Sequence, residues 1–347
     1  MERWQTLLKK SIVHPGELPI QFEFDSSDLE RVTNEYPMRI NPYYLGLIRR
    51  VGDPIWRQAI PDKQELQDAV CQEDPLNEEN LSPVPNLVHK YPDRALLLVA
   101  SQCAVYCRFC TRKRKVGTKR MVISRDTIKA GLEYLRRTPD IRDVLVSGGD
   151  PLLLADEQLQ WVLEALRRIP SIEIIRIGSR VPCTLPMRVT RKLAALLKRY
   201  HPLYLNTHFN HPAEITPEAA LACSRLADAG IPLGCQTVLL RGVNDTPEVI
   251  KTLMRKLLRI RVKPYYLFQT DLTKGTNHFR TSIEKGQTIM RSLIGHLSGL
   301  AVPTYAVDAP GGGGKIPLTP NYVLRYGPQL IFNNYCGTTC TYGNVQE

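Results

Sequence analysis

Cys103-Ala104-Val105-Tyr106-Cys107-Arg108-Phe109-Cys110 places three thiols in a Cx3CxxC spacing and supplies no fourth. It follows an apolar run, Ala95 to Ala100, that reads as a strand emptying into the loop. Iron–sulfur cubes are normally held by four cysteine thiolates, so a three-cysteine loop leaves one iron open to another ligand. Open coordination belongs to catalytic metal centres rather than structural ones. The competing readings are a zinc loop and three buried thiols. Zinc sites usually pair a CxxC with a second ligand pair at a distance, and no such second pair accompanies this loop.

Outward from the loop, strand-like and helix-like segments alternate with short connections, the pattern of a parallel sheet wrapped by helices. Seven strand-like segments stand at 95–101, 143–147, 173–178, 203–208, 232–238, 263–269 and 303–307. Thr216-Pro217 opens a helix that Gly230 closes, Thr246-Pro247 opens the next, and Ser282 begins an amphipathic run to Leu297. The expected fold is α/β, a partial (β/α)6-type barrel short of the closed eightfold form. Residues 1–94 lack the alternation and read as a mainly helical cap, with Pro, Asp and Glu gathered around 72–85. The barrel is expected over 95–309 and a short C-terminal segment over 310–347.

The chain has 347 residues, 43% of them apolar, enough for one large domain with additions. Its longest apolar runs fall far short of the roughly 20 residues of a membrane helix, and nothing resembles a signal peptide. Nine cysteines suit a reducing cytosol better than a disulfide framework, so a soluble, cytoplasmic protein is expected. Cys71, Cys183, Cys223 and Cys235 read as small core residues. A net charge of +12, with Arg112-Lys113-Arg114-Lys115 and Lys119-Arg120, could form a nucleic-acid patch. The favoured reading is a cation-rich loop that helps hold anionic groups beside the cysteines.

Barrel chemistry gathers at strand ends, and the polar signals fall there. Ser147-Gly148-Gly149-Asp150-Pro151 ends one strand, its glycines letting backbone approach a ligand. Asn206-Thr207-His208-Phe209-Asn210-His211 ends another, and Gln236 lies in a third. After the last strand comes Asp308-Ala309-Pro310-Gly311-Gly312-Gly313-Gly314-Lys315, four consecutive glycines and a lysine. Glycines carry an entropy cost in regular structure, so close approach of another group is expected. Lys315 is a candidate for condensation with a carbonyl such as that of pyridoxal phosphate (PLP). The bland alternative is a flexible surface loop with a solvated lysine.

The cysteine loop resembles that of radical S-adenosylmethionine (SAM) enzymes. With the Gly-Gly-Asp element and the DAPGGGGK run in the same order, the chain resembles the lysine 2,3-aminomutase family closely, from about His89 to Val323. The resemblance implies a radical SAM barrel and a C-terminal segment bearing the PLP lysine. By it, Cys103, Cys107 and Cys110 hold a [4Fe-4S] cluster whose open iron chelates SAM. Gly148, Gly149 and Asp150 meet the SAM amino group, with His208 and Gln236 as further SAM contacts. Lys315 holds PLP, and Lys90, Tyr91 and Arg94 hold its phosphate, although the family commonly has Arg where Lys90 stands. Arg112 pairs with the substrate carboxylate, and Asp271 and Asp308 receive a lysine side-chain ammonium.

The implied activity is isomerisation of L-lysine to β-lysine by 2,3-amino migration, through a PLP aldimine and a 5′-deoxyadenosyl radical. Related readings are an arginine 2,3-aminomutase and a supplier of β-lysine for modification of elongation factor P. A reading of another class is a basic, RNA-acting iron–sulfur protein, which leaves the glycine run, Lys315 and the two aspartates unexplained. Implied partners are a small amino acid and an electron donor such as flavodoxin or ferredoxin, with no membrane or nucleic acid. Thr246 stands where larger relatives have a zinc cysteine, and Cys336 and Cys340 fit a terminal strand better than a zinc tail. Any homo-oligomer is therefore expected to be smaller than a zinc-linked tetramer.

Overall fold

The computed structural model describes residues 2–19, 22 and 24–345. A nine-stranded sheet runs in sequence order through β1 (Leu87–Tyr91), β2 (Arg94–Ala100), β3 (Asp143–Gly148), β4 (Ile174–Gly178), β5 (Leu203–Thr207), β6 (Leu233–Leu239), β7 (Lys263–Gln269), β8 (Thr304–Ala309) and β9 (Gly314–Pro317). β2 through β8 are parallel, and β1 and β9 join antiparallel at the two edges. All seven expected strands are present, their ends within two residues of expectation. The sheet also continues beyond the expected 95–309 span at both ends.

Each parallel crossover carries a helix: Arg125–Arg137, Asp156–Arg167, Arg191–Lys198, Pro217–Asp228, Pro247–Arg259 and Ile283–Leu293. Local chemistry fixes their limits. The side chains of Thr216 and Thr246 accept from the N–H groups of Ala219 and Val249, and Gly230 takes a left-handed φ of 79° past the end of the first helix. Ile250, Leu253, Met254 and Leu257 recur at helical spacing and are buried against the sheet.

Along the strands, alternate residues divide between helix layer and lumen. On β6, Leu233, Cys235, Thr237 and Leu239 are buried, while Gln236 and Val238 face a cavity. On β3, Val144 and Val146 pack outward and Leu145 and Ser147 face the same space. Side chains do not fill the barrel, and a cavity of about 660 Å³ results.

The residues before β1 form the cap. Tyr44, Ile55, Trp56 and Ile60 share one core with the barrel. Backbone bonds from Tyr106 N–H to Arg39 O and from Arg108 N–H to Gln58 O, both 2.9 Å, tie the cysteine loop to it. After β9, β10 (Val323–Arg325), β11 (Gln329–Asn333) and β12 (Thr339–Gly343) form a separate antiparallel sheet. Cys340 lies on β12 and Cys336 in the turn before it. Cys183, Cys223 and Cys235 are core residues as expected. Cys71 is not: it is half-buried beside Asp68, and burial with that hydrogen bond pushes its thiol up to about 11. Among the described residues no helix is long and apolar enough to cross a membrane.

Candidate active site

One cavity is bordered by Cys103, Cys107 and Cys110 together with Asp271, Asp308 and Lys315. The cysteine loop and the Asp308–Lys315 run, about 200 residues apart in the chain, therefore meet in space. Fully buried Arg108 shapes the cysteine loop. Its Nε donates to Glu65 at 2.9 Å and its Nη1 to the Pro37 carbonyl at 2.8 Å. Lys113 Nζ also reaches Glu65, as well as the carbonyls of Arg108 and Gly275. Burial pushes the Glu65 carboxyl up, but the two cations outweigh it and hold it at about 2. Among the described residues no three ligating side chains close on a single ion. The three thiols all border the one cavity.

The Gly-Gly-Asp element follows β3 directly. Gly148 has φ 137°, and a Cβ there would lie 2.2 Å from the carbonyl oxygen of Ala100. Its glycine is thus required by the chain's own backbone leading into the cysteine loop, a different reason from the ligand approach that the sequence suggested. Both oxygens of the Asp150 carboxylate are used within the protein. They accept from Ser179 Oγ at 2.7 Å and from the N–H groups of Leu152, Arg180 and Val181. Burial pushes this carboxyl up to about 6 against those bonds. Gly148, Gly149 and Asp150 all border the cavity, but the Asp150 side chain is committed to the end of β4.

Sequence reasoning missed Arg180, which stands just beyond β4. Its Nη1 lies 2.8 Å from Cys107 Sγ, and its Nη2 meets Glu214, Gln58 and Tyr44. Its signal was a charged residue at the same strand-end edge as the other polar groups. From the end of β5, Asn206 and Thr207 line the cavity, and their Nδ2 and Oγ1 atoms are buried without a protein partner. His208 bonds Asn210 at 3.0 Å, and burial with the nearby Arg180 charge holds its imidazole down to about 3, so it is neutral. Gln236 faces the same wall.

At the opposite side, β8 and β9 turn back on each other, with Asp308 paired to Lys315 in register. Gly311, Gly312 and Gly314 adopt φ of 70°, 88° and 89°, so the glycine run is a tight hairpin turn rather than a loose loop. Lys315 Nζ lies 3.4 Å from the Asp308 carboxylate and 5.4 Å over the Phe268 ring. Lys90 reaches Asp308 at 3.4 Å as well. The Arg94 guanidinium stacks 3.9 Å from the Tyr91 ring, and the Tyr91 hydroxyl accepts from Lys315 N–H at 3.1 Å. Burial, then the neighbouring Asp308 charge, pushes the Asp271 carboxyl up to about 7 despite Lys315 and Lys90.

Arg112 borders the cavity, with its Nε and Nη2 already forked on Glu78 at 2.9 and 2.6 Å. The rest of the basic run does not border the cavity, which narrows the expected cation-rich loop beside the cysteines to Arg112. Lys113 is buried on Glu65, while Arg114 and Lys115 pair with Asp74 and Glu79. The acidic stretch near 72–85 is thus the counter-surface of the basic one. No free nucleic-acid patch is left at those four positions.

The family models agree with this geometry. The radical SAM superfamily matches residues 97–254, and a lysine-2,3-aminomutase model matches residues 290–347. An L-lysine 2,3-aminomutase of Acetoanaerobium sticklandii is 52% identical over 92% of this chain and 78% of its own length. The chain belongs to the lysine 2,3-aminomutase family. A Clostridium subterminale L-lysine 2,3-aminomutase is 53% identical over 88% of this chain and 74% of its own length. A glutamate 2,3-aminomutase of Clostridioides difficile is 46% identical over 87% and 72%. Membership makes the chain an isomerase of the radical SAM 2,3-aminomutase group, with a [4Fe-4S] cluster and SAM as cofactors. The cavity fits them: three thiols border it, and Arg180, His208 and Gln236 add polar side chains to its lining.

Proposed function

We propose that this enzyme converts L-lysine to β-lysine by 2,3-amino migration, with PLP as a third cofactor. The observation that carries the substrate is the pair Asp271 and Asp308, set in the cavity that also holds Lys315 and the three cysteines. Two neighbouring buried carboxylates are costly unless a cation joins them. The raised Asp271 carboxyl records that cost, and a lysine ammonium, compact and with three donors, would relieve it. A glutamate side chain would add a third negative charge.

In this reading Cys103, Cys107 and Cys110 hold the cluster, and Lys315 carries PLP with Lys90, Tyr91 and Arg94 beside its phosphate. Gly148, Gly149, Asp150, His208 and Gln236 border SAM. Together the bound cofactors supply the hydrogen-atom chemistry that amino migration between unactivated carbons needs. The protein's own residues then orient and exclude. Arg112 keeps Nη1 outside its Glu78 fork, available to a substrate carboxylate. Phe268, Val238 and Leu145 give the cavity apolar wall that keeps out water.

The test is anaerobic turnover of lysine, arginine, ornithine, glutamate and alanine, with products resolved by chromatography. Lysine should be preferred. Asp271→Ala and Asp308→Ala should each lower kcat/KM for lysine roughly 30- to 5,000-fold, the equivalent of about 2–5 kcal/mol for one lost partner of a buried charge pair. Equal wild-type activity on glutamate, or unchanged lysine kinetics in both variants, would refute the substrate. A preference for arginine would keep the cation-binding logic but change the cation from an ammonium to a guanidinium.

A further inference from the structure

We infer that Arg180 is a positioning residue that sets the reduction potential of the iron–sulfur cluster through Cys107. The inference rests on the three-cysteine cluster site and on nothing in the substrate assignment. Arg180 Nη1 donates toward Cys107 Sγ at 2.8 Å. The guanidinium is almost fully buried, its Cζ lying 5.2 Å from the Phe109 ring and 5.5 Å from the Tyr44 ring.

Its place is fixed from several directions. Arg180 N–H donates to Asp150 at 2.8 Å, so the Gly-Gly-Asp element anchors the backbone from which the side chain reaches the cysteine. Nη2 is held by Gln58 at 2.6 Å and Glu214 at 2.7 Å, with the Tyr44 hydroxyl at 3.2 Å. Glu214 is itself fixed by Tyr44 and by the N–H groups of Asn210 and His211. Burial raises the Glu214 carboxyl, but Arg180 and these donors outweigh it and keep it ionised. Three segments far apart in sequence therefore hold one cation against one thiol.

Hydrogen bonds and charge around cluster sulfurs are levers on the potential of an iron–sulfur centre. Reduction adds an electron to an already anionic assembly of cluster and thiolates. A cation at a ligand sulfur favours the reduced state, and more so when it is buried as this guanidinium is. Glu214 opposes it from the far side of the same guanidinium. The pair thus biases the potential in opposite directions, which no purely structural role would do.

The experiment is a redox titration of the reconstituted enzyme followed by electron paramagnetic resonance. Iron and sulfide contents, and the change in the signal on adding SAM, establish the cluster separately. Failure there would overturn the cluster site, whereas a titration failure with an intact cluster would overturn only the role of Arg180. Arg180→Gln should lower the potential, Arg180→Lys should restore part of it, and Glu214→Gln should raise it. Unchanged potentials in loaded Arg180→Gln and Glu214→Gln, or shifts of the same sign in both, would overturn the inference. Should a variant fail to load, wild type labelled with 15N-arginine gives the answer by double resonance. A nitrogen coupling to the reduced cluster should persist in Arg39→Gln and Arg112→Gln protein, and its absence from wild type would contradict the inference.

Discussion

In the proposed lysine reading, Asp271 joins specificity to pH. Its carboxyl is pushed up to about 7 by burial and by Asp308, so near neutrality much of it is protonated and unable to pair with an ammonium. Binding a lysine cation requires the ionised form, so affinity should rise with pH through about 7 and fall below it. The kcat/KM for lysine should therefore drop about tenfold per pH unit below a break near 7. Asp271→Asn should lack that break; a wild-type profile flat from pH 6 to 8 would mean that Asp271 is ionised throughout. At this scale the sequence named the cysteines, Lys315 and both aspartates through motif resemblance. It could not name Glu78, Glu65 or Arg180, because their meaning lies in partners 34, 43 and 73 positions away that only folding brings together.

Among the elements, strand order and helix limits were legible because strand runs, threonine caps and a closing glycine are local signals. The glycine runs were legible as special, but the backbone crowding they also relieve was not. At Gly148 the crowding atom is the Ala100 carbonyl, and after Asp308 the glycines serve a hairpin turn. The β10–β12 sheet was not foreseen as a unit; its short strands give little periodicity to read. The cysteine loop is held by an equally hidden device, the buried Glu65 between Arg108 and Lys113. Glu65→Gln would leave two cations without their counter-charge, a loss of about 3–5 kcal/mol. Thermal melting of the variant should fall by several degrees and anaerobic iron loading should drop, while an unchanged melt would mean the network is dispensable. Because the Glu65 carboxyl is depressed, its contribution is present above its ordinary value of 4.5 and is lost as pH falls toward about 2.

For the whole molecule, the partial barrel leaves a lumen that its own side chains do not fill, with a cap tied over the cysteine loop. One cavity is therefore bordered by both the three cysteines and Lys315. An RNA-acting iron–sulfur protein would need its cations outward, whereas Arg112 through Lys115 all pair with the acidic stretch or with Glu65. The central claim is that Lys315, within the cavity bordered by the three cysteines, is the PLP lysine. Its most direct test is borohydride reduction of the PLP-loaded enzyme, followed by proteolysis and mass mapping of the tagged peptide. The account predicts one stable pyridoxyl tag, on Lys315, together with the iron–sulfur absorption of the same preparation. A tag on another lysine, or none, would contradict it.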